Sequence, residues 1–124
     1  MKLEIKWKNE PENHDYPAAS SYLQLCSSEY DAITQALENS ELNSFKAKDI
    51  FRASGLPMLD KKNYHVKSNL KKMKAGERLS PIILVVLNNK LIIADGYHRM
   101  CAAYIYNEDL VVPCKIVHHT EKLN

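Results

Sequence analysis

The chain has 124 residues and no apolar run approaching the roughly 20 that cross a bilayer as a helix. A membrane helix within it is therefore excluded. The first residues, Met1-Lys2-Leu3-Glu4-Ile5-Lys6, alternate charged and apolar side chains and show no signal-type apolar segment. There are only three cysteines, Cys26, Cys101 and Cys114, an odd number without metal-ligand spacing. That excludes a disulfide framework and predicts a reduced, cytoplasmic setting in which all three thiols are small buried side chains. No internal repeat or low-complexity segment occurs. Clustered carboxylates of the kind that hold two metal ions are also missing, which argues against a two-metal nuclease. His118 and His119 have no third ligand near them in sequence, which argues against a metal there.

What remains is an ordinary globular composition, 45% hydrophobic and 26% charged, long enough for one domain with its own core. The net charge of +2 hides an asymmetry. Residues 1–44 hold three lysines against eight acids, whereas residues 45–124 hold fourteen basic residues against seven acids. The densest basic stretch comprises Lys61, Lys62, Lys67, Lys71, Lys72, Lys74 and Arg78. It reads either as a solvated helix face or as a surface that attracts anions.

Alternation at Leu3, Ile5 and Trp7 predicts a short half-buried strand. Pro17 suits the first turn of a helix whose apolar positions are Ala18, Tyr22, Leu25 and Cys26. Ser27-Ser28 breaks it, and Tyr30, Ile33, Ala36 and Leu37 form the stripe of a second helix. Phe45 to Ile50 reads as a strand, and Ala53 to Pro57 as a loop. Asn63 to Lys74 reads as a basic helix with Val66, Leu70 and Met73 inward, closed by Ala75-Gly76. Ile82 to Leu87 is a strong strand, and Asn88-Asn89 a two-residue hairpin turn, since Asn tolerates left-handed dihedrals. The return strand is Leu91 to Ala94, and Val111 to Val117 is the last.

Between them lies the most informative string, Ala94-Asp95-Gly96-Tyr97-His98-Arg99-Met100, a strand end, a tight turn and a helix start. First-turn N–H groups and the positive end of the helix dipole make such a place a seat for phosphate. His98 and Arg99 add donors, Gly96 permits close approach of the backbone, and Asp95 is a carboxylate for Mg²⁺ or a proton. The same letters also spell a plain N-cap and turn. Two further places stay open: His14-Asp15, as an acid/base pair or a helix cap, and His65, as a phosphate contact or a surface histidine.

From Phe45 to Val117 the order of pieces resembles the ParB/sulfiredoxin-like family. The matching pieces are Phe45–Ile50, the helix around Lys67–Lys74, Ser80-Pro81-Ile82-Ile83-Leu84-Val85, Asp95-Gly96-Tyr97-His98-Arg99 and Val112-Pro113-Cys114-Lys115-Ile116-Val117. The resemblance implies an α+β fold, a small mixed sheet with flanking helices, preceded here by a strand/helical extension over residues 1–44 in a single domain. It also implies ATP or CTP bound with Mg²⁺ at the glycine turn. Sulfiredoxins carry a cysteine where Tyr97 stands, so sulfinate chemistry is excluded, and Tyr97 is expected to pack rather than react. The Asp-Gly-x-His-Arg form is similar to the free-serine kinases of this fold. By that likeness Asp95, with Mg²⁺, and His98 serve phosphoryl transfer, and Gly96, Tyr97, His98 and Arg99 contact the nucleotide's phosphates. Those kinases take a base from the loop before the basic helix, where this chain offers only Asp60. Lys67, Ser68 and Lys71 are the expected phosphate contacts from the basic helix, facing the same cleft, and Arg99 is expected to matter more to an anion than to folding.

Two functions follow. One is a nucleotide-binding domain, a phosphotransferase or nucleoside triphosphatase if it turns over. The alternative is a non-enzymatic interaction module of a prokaryotic mobile-element or toxin–antitoxin system, in which acidic residues 1–44 dock on a protein partner. DNA is a less favoured partner, and no membrane is expected.

Overall fold

The computed structural model describes residues 4–121. The elements in order are α1 (Asp15–Leu23), α2 (Tyr30–Glu38), β1 (Leu42–Lys46), α3 (Ala47–Ser54), α4 (Tyr64–Lys74), β2 (Ile82–Leu87), β3 (Lys90–Asp95), α5 (Tyr97–Tyr106) and β4 (Val111–His119). The strands form one mixed sheet in the order β1-β4-β2-β3. β4 runs antiparallel to β1 and parallel to β2, and β2–β3 is an antiparallel hairpin. The fold is α+β.

Both faces of the sheet are covered, which explains why Ile82 to Leu87 is continuously apolar rather than alternating. Ile82 and Leu84 join one cluster with Ile50, Phe51, Val66, Met73 and Met100, from the side of α3, α4 and α5. Ile83, Val85 and Leu87 join a second with Ala19, Leu23, Ile33 and Leu37, from α1 and α2. Residues 4–44 thus contribute to the core rather than lying beside it. Their helices are the layer that covers one face of the sheet, and the expected boundary at residue 45 cuts through β1.

Three local readings change. Phe45–Ile50 is not a strand: β1 begins at Leu42 and ends at Lys46, and α3 starts at Ala47. Ala47, Ile50, Phe51 and Ser54 are buried at i, i+3, i+4 and i+7, a helical period. The buried stripe of α1 is Asp15, Ala19 and Leu23, leaving Ala18, Tyr22 and Leu25 outside and Cys26 half-buried. At the N-terminus, Trp7 makes a single parallel bridge to Leu79 rather than a strand, and Leu3 lies outside the described residues.

The turns follow their chemistry. Asn88 and Asn89 take φ of 50° and 68°, and Leu87 pairs with Lys90, a two-residue hairpin with both central residues left-handed. All three cysteines are free thiols, with Cys101 and Cys114 buried. Burial pushes the Cys114 thiol up to about 12. No helix among the described residues is long and apolar enough to cross a membrane.

Candidate functional site

β3 delivers Asp95 to the edge of a cleft through an irregularity in its pairing. Leu84 pairs with Ile93 and Ile83 with Asp95, so Ala94 is the extra residue of a bulge, a device that re-aims the side chain beside it. Gly96 follows with φ of 104°, and α5 begins at Tyr97 with no side-chain cap on its first turn. A Cβ on Gly96 would lie 2.6 Å from Ile82 Cδ1 and 2.9 Å from Arg99 Nη2. Glycine is therefore required here twice, by dihedral and by contact. The cleft, of about 410 Å³, is lined by Tyr22, Leu56 and the run from Ile93 to His98.

Arg99 turns back rather than outward. Its Nη2 donates to Asp95 Oδ2 at 2.9 Å and lies 3.4 Å from the Pro81 carbonyl oxygen. Both side chains of this pair are less than one-fifth exposed. Arg99 Nε is buried with no hydrogen-bond partner among the described residues. Burial raises the Asp95 carboxyl above its ordinary value, the Arg99 charge and hydrogen bond pull it back, and the charge of Asp15 adds to the rise. Arg99 thus also neutralises a half-buried carboxylate across the β3–α5 junction, a role its letters alone did not assign.

The two open histidine sites resolve differently. His65, at the start of α4, sits with its ring centroid 4.8 Å from that of His98, so it does reach the turn. His98 is held below its ordinary pKa by burial and then by the neighbouring His65. It stays neutral to lower pH than a free imidazole. The folded chain therefore binds this proton less readily than the unfolded one, and stability is lost as pH falls from about 6.5 through the lowered value. Asp15 is buried and accepts from the Glu12 N–H at 2.8 Å, while His14 Nε2 lies 3.4 Å from its Oδ1. It pins the preceding loop to the start of α1, whose first turn has no side-chain cap, and its charge also reaches Asp95.

The basic helix does not share the cleft. Lys67 and Lys71 line two other depressions, one with Lys61, Lys62, Leu70 and Lys74, the other with Tyr64 and Ser68. Lys67, Ser68 and Lys71 are thus removed from the turn's lining, because on α4 it is His65 that lies against α5. Asp60 is also absent from it. Its Oδ1 accepts from the Lys62 N–H at 2.7 Å, a local turn before the Asn63 cap of α4. A second concavity, of about 520 Å³ between α3 and the sheet, is lined by Phe45, Ile50, Leu84, Leu91 and other residues, none of them cationic, and suits no phosphate.

Tyr97 packs against the core cluster, and its hydroxyl donates to the Pro57 carbonyl oxygen. It thereby ties the loop after α3, including the cleft residue Leu56, to the start of α5. Sequence reasoning could not supply that tie, because Pro57 is forty residues away. Tyr97→Phe is expected to cost about 0.5–1.5 kcal/mol of stability, the worth of one hydrogen bond. Urea melts of both proteins check it.

Comparison with protein-family models, with curated proteins and with solved structures returns no match for this chain.

Proposed function

We propose that the domain binds the phosphates of a nucleotide, ATP or CTP, at the start of α5. The carrying observation is unused donor capacity at one point. The first turn of α5 has no side-chain cap, and the buried Nε of Arg99 beside it has no partner among the described residues. A buried cationic N–H without an acceptor is costly, and an anion at the helix N-terminus would relieve it. His98 and His65 would flank the phosphates, His98 as a neutral N–H donor near neutral pH.

Mg²⁺ fits as an ion that arrives with the nucleotide. It keeps several waters and needs one or two carboxylates besides phosphate, and Asp95 is the carboxylate in the cleft lining. Bound there, it would screen phosphate charge. Phosphoryl transfer would need a base as well. Asp95 is held by Arg99 and Asp60 is turned into its own loop, so binding, not transfer, is what these residues support. A cytoplasmic setting, where such nucleotides abound, agrees with it. As for a protein partner, part of the acidic charge in residues 1–44 is paired internally, Glu10 with Lys115 and Glu12 with Lys8.

Calorimetric titration with Mg·ATP, Mg·CTP and inorganic phosphate at pH 5.5 and pH 8 tests the proposal. Wild type should bind at both. His98→Ala should lose about tenfold at pH 5.5, where the ligand can recruit the imidazolium, and little at pH 8; a charge-assisted bond is worth about 1.5–3 kcal/mol. No binding of any of the three at either pH would leave the interaction module in its place.

A further inference from the structure

At the hairpin end of the sheet, where Leu87 pairs with His119, three ligand-type side chains from distant parts of the chain converge. Glu29 precedes α2, His119 ends β4, and Glu121 follows it, and one ligand atom from each lies within 4.8 Å of the others. We propose that these residues form a site for a divalent transition-metal ion of the Zn²⁺ class.

The imidazole supplies the strongest observation. His119 Nε2 is shielded from solvent and has no hydrogen-bond partner among the described residues, although Glu29 Oε1 is 3.2 Å away. That oxygen is close enough to pair yet out of line for a hydrogen bond. A lone pair left in this way is what a metal takes.

The second observation is how firmly the carboxylates are placed. Ser27 is buried; its hydroxyl donates to Glu121 Oε1, and its Oγ accepts from the Glu29 N–H at 3.0 Å. One hydroxyl thus orients the Glu121 carboxylate from behind, as outer-shell partners do in metal sites, and holds the backbone from which Glu29 projects. The backbone fixes the third arm. Asn88, in the β2–β3 turn, accepts from the Glu121 N–H at 2.9 Å and donates its own N–H to the His119 carbonyl. Among the described residues no lysine or arginine pairs with either carboxylate, and two such groups repel unless a cation joins them.

The donor set chooses the ion. An imidazole with two carboxylates suits Zn²⁺ and its first-row neighbours, whereas Mg²⁺ and Ca²⁺ favour all-oxygen shells. Three protein ligands leave a fourth position for water. The ion would clamp the end of β4 to the α1–α2 corner.

Titration of the full chain, stripped with chelator, with Zn²⁺ and with Co²⁺ tests the site. One equivalent should bind, unaffected by equimolar Mg²⁺ or Ca²⁺. His119→Ala, Glu29→Gln and Glu121→Gln should each weaken it at least about tenfold, and Ser27→Ala by about 10–100-fold. His118→Ala and Cys26→Ser, which remove the competing donors adjacent in sequence, should change nothing. Glu29 is exposed and both glutamines are near-isosteric, so these two variants keep the test valid should His119→Ala fail to fold. Absence of Zn²⁺ and Co²⁺ binding, unchanged binding in both glutamine variants, or loss in His118→Ala or Cys26→Ser would each overturn the proposal.

Discussion

Gly96→Ala is expected to lower the unfolding free energy by roughly 2–6 kcal/mol, a large share of what a small domain has. Two costs add. At φ of 104° an L-residue carries backbone strain of about 1–3 kcal/mol, and the new methyl meets Ile82 Cδ1 at 2.6 Å. Ile82 is fully buried against α5 and the sheet, so it can retreat only by overpacking its own neighbours, about another 1–3 kcal/mol. Gly76→Ala separates the two terms. Gly76 has φ of 76° but nothing within 4 Å of where a methyl would sit, so it should cost only about 1–2 kcal/mol. Urea midpoints of both variants decide the point: equal losses would mean that the contact with Ile82 is harmless. Ligand affinity should fall in Gly96→Ala even where it remains folded, because the start of α5 must shift to make room.

Arg99→Ala should cost about 2–3 kcal/mol near neutral pH. That is less than the roughly 3–5 kcal/mol of a fully buried broken pair, since both partners keep some solvent, and more than the loss of a surface bridge. The sign of its pH dependence is fixed by Asp95. Its folded pKa already stands above the unfolded one, so its contribution to stability is fully present below the ordinary carboxyl value of about 3.9 and is lost as pH rises through the raised value. Without Arg99 the folded value rises further. The deficit of Arg99→Ala should therefore be greatest near pH 7 and shrink toward about pH 4, where Asp95 carries its own proton. Asp95→Ala/Arg99→Ala together should be more stable than Arg99→Ala alone at pH 7. Thermal melts across that range check both statements; a deficit that grows toward acid pH would contradict the pairing.

Much of the fold is legible because its signals are local. The hairpin from Ile82 to Asp95 shows itself through a continuous apolar run, two asparagines and a return strand. The helix from Tyr64 to Lys74 does so through Val66 and Met73, with Asn63 capping it through its side-chain oxygen. Phe45 to Ile50 misleads because it holds a strand end and a helix start within six residues, and the apolar letters of both merge into one apparent element. In α1 two stripes compete at helical spacing. Tyr22 is the larger side chain, but it is Ala19 and Leu23 that meet the sheet. The candidate turn is, as its letters suggest, a strand–glycine–helix junction. The inward fold of Arg99 onto Asp95 departs from expectation, although the i, i+4 spacing of acid and base is there to read. Of the side chains around His119, Glu121 lies two residues on and is there to read, whereas Glu29 lies ninety residues upstream, a distance closed only by the packing of α2 against the sheet.

The position of β4 has a consequence for how the chain acquires its structure. It is the last strand in sequence and sits between β1 and β2 in the sheet, hydrogen-bonded to both. During synthesis β1 and the β2–β3 hairpin therefore emerge with no sheet partner for each other, and the two helical layers have nothing complete to cover. Only when residues up to His119 have left the ribosome can the strands join, and the pairings they then make span long stretches of chain, which slows the search. Folding of this domain is thus a single late event rather than a progressive one. A nascent chain halted before β4 would present the open edges of β1 and β2 to chaperones or to one another.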